Sequence, residues 1–302
     1  MAIKSITLEV TNMCTLKCLR CARTDFIKKY PKGWKNHNLN LQDLKNFLDI
    51  DFKNTSFTIC GNYGDAIYYN DLFPLCRWLK ENGSTIKLHT NGSYKTADWW
   101  NNLASILDEN DEVNWAIDGT PENFTEYRVN ADWDSIKTGI DIITKTKIQT
   151  VWRHIVLKFN QGTVSETETL AKSLGIKKFS IVHSDRWEEN DALKPDSNFI
   201  NAADEFKTAW KKNVRNLDIS PKCLTGETSH FITAEGYYTP CCYIADHRFY
   251  YKTRWGKEKQ KYSIKNTKFT EILSRPDVIQ YFKDLTNNIC DDVCRFSCPK
   301  IG

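Results

Sequence analysis

Six short β-branched segments alternate with longer amphipathic ones over the first two thirds of the chain, and this rhythm most constrains the fold. The predicted strands are 3–10, 56–61, 85–90, 113–118, 150–158 and 177–182. The predicted helices between and after them cover 41–49, 72–82, 97–109, 133–146, 163–174 and 203–212. Strand–helix units in regular succession build a parallel sheet with helices outside. Asn70 or Asp71 can cap the helix at Leu72, and Ser165 with Glu168 forms a predicted capping box. Gly83 and Gly175 are placed to end their helices in the left-handed conformation.

Beyond about Leu217 the pattern changes. A hairpin is predicted over 231–239, turning at Glu235-Gly236, then a Lys- and Tyr-rich stretch, a helix from Pro276 to Leu285 and a terminal cysteine cluster. The stretch 251–268 reads as a solvated loop, and the tail has few apolar residues, so a metal is expected to hold it.

The chain has 302 residues and eleven cysteines. No apolar run suits an export signal or approaches a membrane span, so the expected compartment is the cytoplasm, with no membrane partner. Cysteines there serve as metal ligands or reactive thiols, and a disulfide-stapled secreted protein is excluded. The net charge of +4 is spread along the chain and is insufficient for a nucleic-acid footprint.

Three of the cysteines, Cys14, Cys18 and Cys21, follow the first strand at C-x3-C-x2-C spacing. His37 is too distant for a fourth local ligand. Three thiolates leave one iron of an iron–sulfur cluster open to a cofactor. The motif resembles that of the radical S-adenosylmethionine enzymes. The resemblance implies a partial (β/α)6 TIM-like barrel over 1–216, a 4Fe-4S cluster on Cys14, Cys18 and Cys21, and S-adenosylmethionine on its open iron. Reduction would give a 5′-deoxyadenosyl radical that takes a hydrogen atom from a substrate. Arg20 stands where the family has an aromatic residue beside the cluster.

Further motifs carry the resemblance. Tyr63, Gly64, Asp65 and Ala66 stand in the places of the family's Gly-Gly-Glu-Pro, which holds the cofactor's ammonium group. Asn91 lies in a Thr-Asn-Gly at the end of the third strand, as a cofactor or substrate contact or as a turn residue. Asp118 belongs to Ala-Ile-Asp-Gly, similar to the family's Ser-Ile-Asp-Gly, with Ala116 in place of the serine. Arg128, in Tyr-Arg, is then a candidate for the cofactor's carboxylate. Arg153 and His154 cannot both face the barrel interior, and alternation alone does not choose between them. His183, Asp185 and Arg186 end the sixth strand as a polar group.

In the tail, Cys223, Gly236 and Cys241 are spaced like the opening of a SPASM or twitch extension, which implies an auxiliary cluster domain over 217–302. One auxiliary 4Fe-4S cluster is expected on four of Cys223, Cys241, Cys290, Cys294 and Cys298. The last three fall at i, i+4 and i+8, the face of one helix. A zinc ribbon is the alternative for this half. Cys60 and Cys76 read as buried small hydrophobes.

The expected activity is therefore an oxidoreductase or modifying enzyme of the radical type, acting on a peptide or small molecule such as an aminosugar alcohol or nucleotide. No peptide-recognition domain is predicted before the barrel, which favours a small or externally delivered substrate. An external electron donor such as flavodoxin or ferredoxin is implied. The other class is a zinc-dependent RNA-binding protein without radical chemistry.

Overall fold

The structure is a computed structural model that describes residues 3–182, 184, 191–199, 218–225, 230–265 and 267–300. Its strands are β1 (Ser5–Leu8), β2 (Ser56–Ile59), β3 (Thr85–Thr90), β4 (Glu112–Ala116), β5 (Gln149–Ile155), β6 (Lys178–Val182), β7 (His230–Ile232) and β8 (Tyr238–Thr239). They form one sheet in the order β6-β5-β4-β3-β2-β1-β7-β8, parallel throughout except for β8. This is the mixed α/β architecture of a partial TIM-like barrel. All six predicted barrel strands are present, and β3 coincides with its predicted range.

The helices that follow the strands are α1 (Ala22–Lys29), α2 (Leu41–Phe47), α3 (Leu72–Glu81), α4 (Ala97–Ala104), α5 (Trp133–Ile143) and α6 (Val164–Ser173). Three start where a short polar side chain accepts from the first turn: Asn40 from Asp43 N, Thr96 from Trp99 N and Asp132 from Ser135 N. The predicted capping box does not form. Thr163 is the cap residue of α6, which places Ser165 inside the helix. Asp71 precedes α3 but makes no capping bond. Gly83 and Gly175 do adopt positive φ, at 84° and 81°. The predicted helix over 203–212 lies outside the described residues.

Apolar side chains on one face of each strand pack against the helices. Trp100 of α4 and Trp115 of β4 are fully buried, 4.9 Å apart between ring centroids. Gly139 of α5 lets that helix close on them, since a Cβ there would stand 2.5 Å from the Trp100 ring. The opposite sheet face is polar, and Thr7, Cys60, His89, Ala116, Arg153 and Ser180 are half-buried along it.

The tail departs from its reading as a polar unit. Its hairpin turns at Gly236, with φ of 80°, and β7 pairs in parallel with β1, so the tail continues the barrel sheet. The stretch expected as a solvated loop contributes Trp255 and Tyr262, both fully buried and 4.4 Å apart between ring centroids. Its lysines stay outside and Tyr251 is exposed, while Trp255 and Tyr262 point in. Helices α7 (Phe269–Ser274), α8 (Pro276–Thr286) and α9 (Asp292–Ser297) complete the chain. Among the described residues, no helix is long and apolar enough to cross a membrane.

Candidate active site

β1 delivers the chain into the loop that carries Cys14, Cys18 and Cys21. Two backbone bonds stitch this loop to the Tyr127–Val129 segment: Lys17 N to Val129 O at 2.9 Å and Leu19 N to Tyr127 O at 3.1 Å. Asn12 fixes its entry, donating to Lys35 O at 2.8 Å and accepting from His37 N at 2.7 Å. Cys21 is the cap residue of α1, a helix that hydrophobic spacing does not predict. Arg20 is committed to an ion pair. Its backbone is left-handed, with φ of 57°, and its guanidinium pairs with Asp191 at 2.6 Å.

Gly64 packs directly on the start of the loop, because a Cβ there would stand 1.9 Å from Thr11 O. Asp65 N donates to Met13 O at 2.8 Å, which fastens the second strand's loop beside Cys14. The Asp65 carboxylate accepts from Asn91 N at 2.6 Å, from the Asn91 side chain, from Ile67 N at 3.2 Å and from Thr90. Four donors match the lone-pair sites of a carboxylate. Burial raises the Asp65 pKa nonetheless. Asn91 Nδ2 also lies 3.6 Å from Cys14 Sγ, while its Oδ1 accepts from Ser93 N at 2.9 Å. Asn91 therefore makes the turn and faces the first cysteine.

Tyr63 points elsewhere. Its hydroxyl accepts from His247 N at 2.7 Å, so its ring joins the loop after β2 to the tail. On the other side of the cysteine loop, Arg128 Nε donates to the buried Asp118 Oδ2 at 2.6 Å, and Asp118 Oδ1 accepts from Ile155 N at 2.7 Å. The same guanidinium hydrogen-bonds the Cys18 thiol. Cys14 and Cys18 are thus bracketed by Asn91 and Arg128. Burial pushes the Cys14 thiol up to about 12 and raises that of Cys18, so metal binding here releases protons.

The register settles which residue of β5 faces inward. Arg153 lies opposite Ala116 and Ser180 on the half-buried polar face, whereas His154 is fully buried against Phe179. His89 is near Arg153, and burial together with that charge holds its pKa down to about 3. Lys158 is spent on an ion pair with Asp196. His183, Asp185 and Arg186 lie outside the described residues.

In the tail, Cys223, Cys241, Cys294 and Cys298 line one small cavity with Tyr281, whose hydroxyl is 3.5 Å from Cys294 Sγ. Cys298 N donates to Cys294 O, and Ser220 N donates to Cys298 O, both at 2.8 Å. The three last cysteines do not share a helix. Cys290 precedes α9, Cys294 lies within it and Cys298 ends it. Cys290 is not among the residues lining the cavity. Cys76 is fully buried in α3 as expected, but Cys60 is half-buried on the polar sheet face. No three Cys, His, Asp or Glu side chains among the described residues are grouped as around a single metal ion. A cubane spreads its thiolates further apart than one ion does.

Residues 223–299 match the SPASM family, an iron-sulfur cluster-binding domain. The structure of Streptococcus suis SuiB bound to precursor peptide SuiA has a TM-score of 0.62 at 13% identity, over 98% of this chain and 71% of that one. anSMEcpe with bound AdoMet and Cp18Cys peptide has a TM-score of 0.59 at 12% identity, over 98% and 88%. BtrN in complex with AdoMet and 2-DOIA has a TM-score of 0.51 at 12% identity, over 99% and 93%. The chain shares the fold of these structures, and its tail matches the SPASM family. It spans 65% of the length of SuiB in the S-adenosylmethionine-bound structure. None of the curated proteins matches the sequence.

Beside the SPASM-type hairpin lies a carboxylate that motif reading passed over. Glu9 is 3% exposed and accepts from Tyr63 N at 2.9 Å. Its signal was the alternation of Thr7, Glu9 and Thr11 with Ile6, Leu8 and Val10, a polar face where a core strand needs none. Burial raises its pKa from 4.5 to about 7, against backbone hydrogen bonds that lower it. Between these values the folded chain holds a proton that the unfolded chain has lost. Stability contributed by this proton is complete below 4.5 and lost as pH rises through 7. Glu9→Gln keeps the acceptor oxygen and removes the titration. Urea unfolding of the variant is expected to depend less on pH between 5.5 and 7.5, by up to about 2 kcal/mol. An unchanged slope would contradict this assignment.

Proposed function

We propose that the chain is a radical S-adenosylmethionine enzyme acting on a peptide or small molecule, with one auxiliary 4Fe-4S cluster. The observation that carries this reading is the Cys14–Cys21 loop held between Asn91 and Arg128 at the carboxyl end of the parallel sheet. The donor set suits the group: three soft thiolates from one loop, with no fourth local ligand. When bound and reduced, the cluster with S-adenosylmethionine supplies a 5′-deoxyadenosyl radical able to remove a hydrogen atom from a substrate.

The chain's own residues do the positioning. Asp65 orients Asn91 towards Cys14, and Asp118 orients Arg128 towards Cys18. With Nε committed to Asp118, Arg128 has its terminal nitrogens left for Cys18 and the cofactor carboxylate. Arg153 supplies positive charge on the polar sheet face. Cys223, Cys241, Cys294 and Cys298 hold the auxiliary cluster, and Cys290 is the spare thiol. An external one-electron donor such as flavodoxin or ferredoxin completes the system.

Anaerobic reconstitution should give about eight irons per chain, and reductant with S-adenosylmethionine should yield 5′-deoxyadenosine. Zinc in place of iron would instead favour a zinc-dependent binding protein. Cys290→Ser is expected to keep the full iron content, whereas Cys294→Ser loses about half of it. Equal iron loss in both variants would overturn the ligand set for the tail.

A further inference from the structure

Next to the cofactor loop, a cavity of about 320 Å³ is walled by residues from both ends of the chain. Four of its rings form a closed circuit. Phe26 meets Trp34 at 5.7 Å between centroids, Trp34 meets Tyr63 at 5.8 Å, Tyr63 meets His247 at 5.9 Å, and His247 returns to Phe26 at 5.4 Å. Glu9 also lines the cavity, buried, with no ion pair to a cation among the described residues. Lys259, on the same lining, is already held by Glu235 at 3.1 Å. The Tyr250 hydroxyl is buried there without a hydrogen-bond partner among the described residues.

These features define what fits. An anion would meet the Glu9 carboxylate, and an apolar group would leave Glu9 with backbone donors but no counter-charge and the Tyr250 hydroxyl unsatisfied. A positively charged nitrogen is the group that a carboxylate, a hydroxyl oxygen and aromatic rings on one cavity wall each attract. Asn12, two residues before Cys14, lines the same cavity, as does Tyr63, which precedes Gly64. An occupant therefore borders the cofactor loop.

We infer that this cavity receives a primary ammonium group of the substrate, with Glu9 as its counter-ion, Tyr250 as an acceptor and the four rings as its wall. The inference rests on the proposed radical function only in calling the occupant a substrate; the binding itself is independent of turnover.

The test is calorimetric titration of the full-length, iron-reconstituted protein without reductant. Nα-acetyl-lysine amide is compared with Nα-acetyl-norleucine amide, and cyclohexylamine with cyclohexanol. Each amine is expected to bind at least tenfold more tightly than its neutral twin. The tighter of the two amines distinguishes a lysine-bearing peptide from an amino-sugar-like source. Glu9→Gln should remove the preference for charge. Trp34→Leu, at a half-buried ring, should weaken the amine more than the neutral twin even if the Glu9 variant fails to fold. Equal binding of amine and neutral twin, no amine binding at millimolar concentration, or a charge preference unchanged in a folded Glu9 variant would overturn the inference. Formation of 5′-deoxyadenosine, measured separately, reports on the radical function alone.

Discussion

Gly64→Ala is expected to cost the chain most of the 5′-deoxyadenosine formation proposed for it. The added methyl would stand 1.9 Å from Thr11 O, 2.6 Å from Thr11 C and 2.8 Å from Asn12 Cα, all of them backbone atoms. No side-chain rotation relieves these contacts, so one of the two loops has to move by about 1 Å or more to restore carbon contact distances. Asp65 N is bonded to Met13 O, so the displacement carries directly to Cys14. Overpacking of this kind costs about 1–3 kcal/mol of stability. A misplacement of about 1 Å in a positioned reaction can cost about a hundredfold in rate. The measurement is 5′-deoxyadenosine formation and iron content beside Gly162→Ala, where a Cβ meets nothing within 4 Å. Wild-type activity and iron in the Gly64 variant would show that the loop contact is dispensable.

Cys18→Ala should abolish cofactor cleavage outright. Cys18 is the middle thiol of the loop, buried, and hydrogen-bonded by the Arg128 guanidinium. Its loss leaves two local thiols, too few to hold a cubane at this end of the sheet. The proposed auxiliary site, built from Cys223 onward, is untouched, so about four of eight irons should remain. Arg128 keeps its ion pair with Asp118, and the loop keeps its backbone bonds to Tyr127 and Val129. The variant is therefore expected to retain the far-ultraviolet circular dichroism of the parent. Turnover unchanged in this variant would sink the radical assignment.

The strands were legible because each is a short apolar run bounded by turn residues. β3, Thr85–Thr90, is both the cleanest alternation and the one whose limits agree with the reading. Helix α1 was not legible. Its sequence ARTDFIKK starts inside the cysteine motif, and Ala22 is its sole buried residue, so it lacks an apolar stripe. The terminal cysteines misled for a related reason. Spacing of four suggests a shared helical face, but α9 begins after Cys290 and stops before Cys298, and the chain turn at Cys298 brings its thiol to the cavity. The motif around Asp65 could be matched letter by letter, yet the saturation of its carboxylate by Thr90, Asn91 and Ile67 depends on the third strand's approach. No single segment encodes that. Arg153 against His154 was undecidable until the β4–β5 register fixed which face meets the helices.

The parallel pairing of β7 with β1 has a consequence for assembly. Without the hairpin, β1 would present at the sheet edge the backbone groups that now face β7, Glu9 N to Ile232 O among them, beside the buried Ile6 and Leu8, an edge of the kind that templates intermolecular pairing. The tail thus acts as the selvedge of the barrel. A chain stopped before His230 is expected to precipitate rather than fold as a smaller enzyme, and synthesis must reach the last third before the first strand is protected.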